Sequence, residues 1–192
     1  MNVPEDSGFI GMYIGPMYSG KTSKLRELYK QCTFCKIPVE VINYAEDIRY
    51  TDESMMSTHN KEMIPCIMAK QLFEAIPLDS NKMKTTKVFL INEGQFFPDV
   101  VEWVTRAAEP PYNKSIHICG LDGDFKRDTF GNWLDIIPHS NHIEKLKSIC
   151  CDCKKNAAIF SHRITKEKEQ KVIGNDNYIP LCRKCYHKKN KN

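Results

Sequence analysis

The apolar positions fall into short runs separated by stretches of helical period. Phe9-Ile-Gly-Met-Tyr-Ile14 suits a buried strand, and beyond it Leu25, Leu28, Tyr29 and Cys32 recur at the spacing of one helix face. Val39-Glu-Val-Ile42, entered from Pro38, reads as a short strand, Lys87-Val-Phe-Leu-Ile91 as a stronger one and Ser115-Ile-His-Ile-Cys119 as a further one. Helix-like stretches lie at 23–35, 68–75 and 99–109, the last closed by Pro110 and Pro111. Residues 45–62 are polar with no sustained period, which predicts a loop. Strands alternating with helices predict an α/β fold, a parallel sheet with flanking helices. From about residue 144 lysine and cysteine rise and long apolar runs vanish. The expected organisation is therefore a main domain over 1–143 and a small second one over 144–192.

The turn between the first strand and the first helix carries the sharpest chemistry. Gly15-Pro16-Met17-Tyr18-Ser19-Gly20-Lys21-Thr22 is a complete phosphate-binding loop. Its glycines let backbone N–H groups turn inward, its lysine reaches the β/γ-phosphates and its hydroxyl can ligate Mg²⁺. A nucleoside triphosphate is the implied ligand. The strand Val88–Ile91 runs into Asn92-Glu93-Gly94-Gln95-Phe96-Phe97. A carboxylate at that strand end lies near the γ-phosphate, where Glu93 can take the proton of an attacking hydroxyl. Phe96 and Phe97 read either as core or as the wall of a pocket for a flat ring.

Cys-x-x-Cys pairs occur at Cys32/Cys35, Cys150/Cys153 and Cys182/Cys185. A tetrahedral zinc site needs two pairs, and the second and third are the ones close enough in sequence to combine. Four thiolates close the coordination shell, so this zinc is expected to be structural, at the heart of a zinc-ribbon-like unit that could scarcely fold without it. Cys32 and Cys35 are read as small core or near-surface thiols, and Cys151 and His187 as bystanders.

Composition narrows the setting. With 28 Lys+Arg against 24 Asp+Glu, the formal charge of +4 does not by itself call for nucleic acid. No run approaches the roughly 20 apolar residues of a membrane span, and Met1–Gly8 lacks the features of a signal peptide. A reducing, cytoplasmic setting is expected, with the nine cysteines reduced or metal-bound.

Together GPMYSGKT, NEGQFF, the stretch Leu121-Asp-Gly-Asp-Phe-Lys-Arg127, and two cysteine pairs embracing Val172-Ile-Gly174 and Tyr178 resemble the thymidine kinase family of the cellular and poxviral type, from about residue 8 to 187. The resemblance implies ATP-dependent phosphorylation of the thymidine 5′-hydroxyl in nucleoside salvage for DNA synthesis. It also implies a homotetramer and feedback inhibition by thymidine triphosphate. Carried over by residue, Lys21 and the loop amides hold phosphates, Thr22 binds Mg²⁺, and Asp47, Arg49, Asn92 and Gln95 belong to the same MgATP side. Glu93 becomes the catalytic base. Met17, Phe96, Leu121, Phe125, Phe130 and Ser161 match the nucleoside pocket. Gln170, Lys171, Val172, Ile173 and Gly174 resemble the family's lasso over the base, closed by Tyr178 and anchored at both ends by zinc. Asn92 departs from the aspartate typical of the family and brings no charge to the Mg²⁺ side.

Two other readings share these motifs. One is a phosphate-loop kinase acting on another nucleoside or on a nucleotide. The other is an ATP-regulated zinc-ribbon module that binds nucleic acid through Lys154, Lys155, Arg183, Lys184 and the terminal lysines, although lysines around four thiolates are more simply compensation for their charge.

Overall fold

A computed structural model describes residue 4 and residues 6–45, 55–57, 63–171 and 177–190. The first part of the chain folds as β1 (Phe9–Ile14), α1 (Lys21–Phe34), β2 (Val39–Tyr44), β3 (Met55–Ser57), β4 (Met63–Pro65), β5 (Ile67–Ala69), α2 (Leu72–Ala75) and α3 (Asn81–Thr85). It continues through β6 (Val88–Ile91), α4 (Val100–Ala108), β7 (Ser115–Gly120) and β8 (His142–Lys145). The remainder comprises β9 (Ser148–Ile149), β10 (Ala157–Ala158), β11 (Phe160–Arg163), β12 (Tyr178–Leu181) and α5 (Arg183–Lys189).

Six strands form one sheet in the order β5-β2-β6-β7-β1-β8, every pairing parallel. The period of two divides their side chains between two cores. Ile10, Met12, Phe89, Ile91, Ile116 and Ile118 pack on one face with Trp103 and Val104 of α4 and with Trp133. Tyr13, Val88, Leu90 and Cys119 face the other way, onto Leu25, Leu28 and Cys32 of α1. A parallel sheet must be covered on both faces, and the helical stripe of α1 supplies one cover. On that face His117 is 1 % exposed, its Nδ1 lies 3.1 Å from the Tyr13 hydroxyl, and burial lowers its pKa to about 4.

Three segments differ from the sequence pattern. The stretch 68–75 is not one helix: Ile67–Ala69 extends the sheet beside β2, and only Leu72–Ala75 is helical. Its apolar positions serve an edge strand and a single turn in succession, which mimics a helical period. The expected loop 45–62 contains β3, paired antiparallel with β4. A three-residue ribbon is held by backbone hydrogen bonds and needs no apolar period. The strand β8 goes unseen because, as a largely exposed edge, it carries His142, Glu144 and Lys145 rather than an apolar run. It spans residues 143 and 144, between which the two domains were expected to divide.

Beyond β8 the packing is sparse. Cys150, Ala158, Leu181, Cys182, Cys185 and Tyr186 make up the buried cluster, with Cys153, Phe160 and Ile179 at its edge.

Candidate active site

The phosphate loop joins β1 to α1 at the carboxyl end of the sheet, where open parallel sheets bind ligands. A Cβ on Gly15 would sit 2.5 Å from the Leu146 carbonyl oxygen, so the backbone runs too close there for any side chain. Gly20 caps α1 with φ +87°, a left-handed conformation, and no atom stands within 4 Å of where its Cβ would be. The loop is open at that point. Lys21 is buried and its Nζ donates to the Pro16 carbonyl at 2.7 Å, folding the ammonium over the loop. The Ser19 hydroxyl oxygen is buried with no hydrogen-bond partner. An open helix start, an orphaned hydroxyl and a retained ammonium fit a bound triphosphate.

Asn92, just past β6, is 3 % exposed and both the oxygen and the nitrogen of its amide are engaged. Its Oδ1 accepts from the Thr22 hydroxyl at 3.5 Å and the Cys119 thiol at 3.0 Å, while Nδ2 donates to Asn43 Oδ1 at 2.8 Å. Thr22 is thus tied to β6, the arrangement required for a hydroxyl that ligates Mg²⁺ beside a strand-end oxygen. These groups fit the ion, with one charge fewer than an aspartate would bring.

Glu93 follows with φ +59°, left-handed for a non-glycine residue, at the start of a 3₁₀ turn over Gly94–Phe96. Such a conformation persists only where neighbours fix it. Gln95 does so: its Nε2 donates to Glu93 Oε2 at 2.6 Å and its Oε1 accepts from the Leu121 amide at 3.0 Å. Trp133 Nε1 in turn donates to the Leu121 carbonyl at 2.9 Å. Gln95, expected on the MgATP side, thereby bridges the Glu93 carboxylate and the loop after β7.

Aromatic rings cluster beyond that loop and the end of β2. Phe96 meets Phe130 edge-on at 5.2 Å between ring centroids and Tyr44 at 5.1 Å. Lys171 Nζ lies 4.6 Å from the Tyr44 centroid and 5.0 Å from that of Phe96. Gln170 Nε2 donates to Asp124 Oδ2 at 2.9 Å and to the Thr129 carbonyl at 3.2 Å. Ser161 Oγ accepts from the Met17 amide at 3.0 Å, joining β11 directly to the phosphate loop. Tyr178 stands opposite Arg163 in the β11–β12 ribbon, and the Arg163 guanidinium lies 3.8 Å from the Phe125 ring centroid. Asp47, Arg49, Val172, Ile173 and Gly174 lie outside the described residues. The sequence reading gave no role to Asn43, Tyr44, Arg163 or, although it lies in the Leu121–Arg127 stretch, Asp124; each acquires one through contacts distant in the chain.

Cys150, Cys153, Cys182 and Cys185 converge with all four sulfurs within 4.8 Å of one another. Cys153 and Cys182 sulfurs are 3.9 Å apart, close to the roughly 3.8 Å edge of a tetrahedron with Zn–S bonds of about 2.3 Å. Burial raises the Cys150 pKa, but the backbone amides of Cys153, Cys182 and Asp152 outweigh it and bring it down to about 6. Donor set and spacing fit zinc. Cys32 is buried beneath α1, where burial and Cys35 push its thiol up to about 11; Cys35 is exposed. Among the described residues no helix is long and apolar enough to cross a membrane.

Residues 8–186 match the profile of the thymidine kinase family. Over 182 residues the chain is 37% identical to the thymidine kinase of sheeppox virus, covering 94% of this chain and 98% of that protein. It is 38% identical over 185 residues to the thymidine kinase of Yaba monkey tumor virus, covering 96% and 97% respectively. With the cytosolic thymidine kinase of Bos taurus it shares 37% identity over 183 residues, 95% of this chain and 73% of the bovine one. On the match along nearly its whole length, the chain belongs to the thymidine kinase family.

Proposed function

We propose that the chain transfers the γ-phosphoryl group of ATP in line to the 5′-hydroxyl of thymidine, supplying thymidine monophosphate for DNA synthesis. The observation that carries this reading is the setting of Glu93. Its carboxylate is held by Gln95, which also holds Leu121 beside the aromatic cluster, and its neighbour Asn92 is bonded to Thr22 of the phosphate loop. A base so framed can reach a hydroxyl presented from that cluster toward a phosphate in the loop.

Lys21 and the loop amides would hold the triphosphate, and Thr22 and Asn92 would hold Mg²⁺, which would supply neutralisation of the charge that develops on transfer. Glu93 receives the hydroxyl proton. Asp47 and Arg49 reach the phosphates. Met17, Phe96, Leu121, Phe125, Phe130 and Ser161 line the nucleoside pocket, with Gln170 to Gly174 and Tyr178 over the base. Zinc on the four cysteines anchors both ends of that segment. Residues 1–143 accordingly carry the phosphate loop, the catalytic base and most of the nucleoside pocket, and residues 144–192 the metal and the segment over the nucleoside base. Family membership also supports a homotetramer inhibited by thymidine triphosphate, and the cytosolic designation of the bovine relative supports a cytoplasmic setting.

The test is phosphorylation of thymidine, deoxyuridine, deoxycytidine, deoxyadenosine and thymidine monophosphate by zinc-loaded protein, with Glu93→Gln as control. Thymidine is expected to be preferred and its turnover lost in the variant. No turnover of any acceptor would overturn the reading.

A further inference from the structure

Arg163, outside the motifs, donates five hydrogen bonds within the protein. It is 5 % exposed, yet every acceptor it uses is a carbonyl or a phenol. Its Nε donates to the Tyr178 hydroxyl at 3.1 Å and one Nη2 hydrogen reaches the same oxygen. Nη1 donates to the Glu167 carbonyl at 2.9 Å and to that of Glu169, and Nη2 also donates to the Gln170 carbonyl at 3.1 Å. A guanidinium has five N–H donors, and all are engaged within the protein. Its face meanwhile covers the Phe125 ring at 3.8 Å.

This pattern excludes one role and indicates another. With every donor taken, Arg163 has none left for a phosphate. What it joins are three separate pieces: the carbonyls of 167–170, the Tyr178 ring on β12, and the Phe125 ring on the loop after β7. Phe125 is secured independently by the Tyr186 hydroxyl, which donates to its carbonyl at 2.6 Å, and Gln170 by Asp124. We propose that Arg163 is a positioning residue for the nucleoside pocket, fixing the Phe125 and Tyr178 rings and the 167–170 backbone in one arrangement and so setting nucleoside affinity. The inference rests on the thymidine kinase reading above. It also assigns the Tyr178 hydroxyl oxygen to Arg163 as the acceptor of two N–H groups. Lysine, with three donors and no planar fork, cannot reproduce the arrangement.

The experiment compares wild type, Arg163→Lys, Tyr178→Phe and the double variant by steady-state kinetics in each substrate, with zinc content and MgATP affinity measured alongside. Arg163→Lys is expected to raise KM for thymidine by about 10-fold or more, the worth of one charge-assisted hydrogen bond. Zinc content and MgATP affinity should stay within about twofold, and Tyr178→Phe should raise the same KM less. The double variant should be no worse than Arg163→Lys, because both substitutions cut one link. Unchanged thymidine KM in Arg163→Lys, strictly additive effects, or equal losses of thymidine and MgATP affinity would each overturn the inference. Wild-type protein that fails to phosphorylate thymidine would instead overturn the functional reading and this inference with it.

Discussion

Around the phosphate loop, position is set by apolar burial: Met12, Ile42, Leu90, Ile91 and Ile118 are fully buried in a six-stranded sheet with helices on both faces. Around Tyr178 the buried cluster offers Ala158 and Leu181, on strands of two and four residues, and Tyr186 of α5 beside thiols. The first region holds its geometry from the fold, as extensive apolar burial allows. The second is left to a four-cysteine cluster that fits zinc and to polar contacts such as those of Gln170 and Arg163. The phosphate loop and the surroundings of Tyr178 thus differ in what holds them in place, and each can be attacked separately.

Zinc removal should separate them most sharply. After chelation, verified by metal analysis, thymidine binding measured by calorimetry is expected to vanish while MgATP affinity falls by no more than about 10-fold, since metal binding there is folding free energy. Equal loss of both ligands would dissolve the distinction. Glu93→Gln comes next: turnover should drop by about 10²–10⁴-fold with little change in MgATP affinity, because only proton removal is touched. Near-normal turnover would remove Glu93 from the role of base.

Acid probes the sheet side. The native protein keeps His117 neutral down to about pH 4, whereas an unfolded chain protonates it near 6.5. The stability that follows is complete above about pH 6.5, declines as pH falls through that window and levels off below 4, by at most about 3 kcal/mol. Denaturant midpoints for wild type and His117→Gln should diverge across it, whereas metal release should follow the same acid course in both. Parallel midpoint curves would show that the sheet gains nothing from a neutral His117. Ser161→Ala cuts the hydrogen bond to Met17 and should raise KM for both substrates together by roughly fivefold, about 1 kcal/mol. A change confined to one substrate would mean the contact does not couple the regions. The smallest effect belongs to Asn92→Asp, expected to lower the Mg²⁺ concentration for half-maximal rate by about two- to fivefold through added charge. The gain is limited because the new carboxylate would face Asn43 Oδ1 until that amide turned over. An unchanged Mg²⁺ requirement would rule the charge argument out.

What could be read from sequence follows the same division. The phosphate loop is legible because its chemistry is local: glycines at 15 and 20 encode the backbone path and Lys21 and Thr22 follow in register. The four cysteines are legible because ligand spacing is local within each pair. The sheet shows through its apolar runs except at β8, where an exposed edge needs none, and at β5, where strand and helix turn share one apparent period. Arg163 is illegible for a physical reason. Its acceptors include main-chain carbonyls, which leave no trace in side-chain identity, and its aromatic partners Phe125 and Tyr178 are remote in sequence. Asn43 likewise becomes meaningful only once β2 is laid beside β6.

The close approach of Gly15 to Leu146 bears on how this protein could be engineered. Leu146, just past β8, donates its amide to the Ile14 carbonyl and sets its own carbonyl against Gly15, so the segment leaving the sheet for the four-cysteine cluster backs the phosphate loop. A fusion junction, a tag or a transplanted metal module spliced at this point would reshape that loop as well as the graft. The chain offers no neutral cut between its two halves.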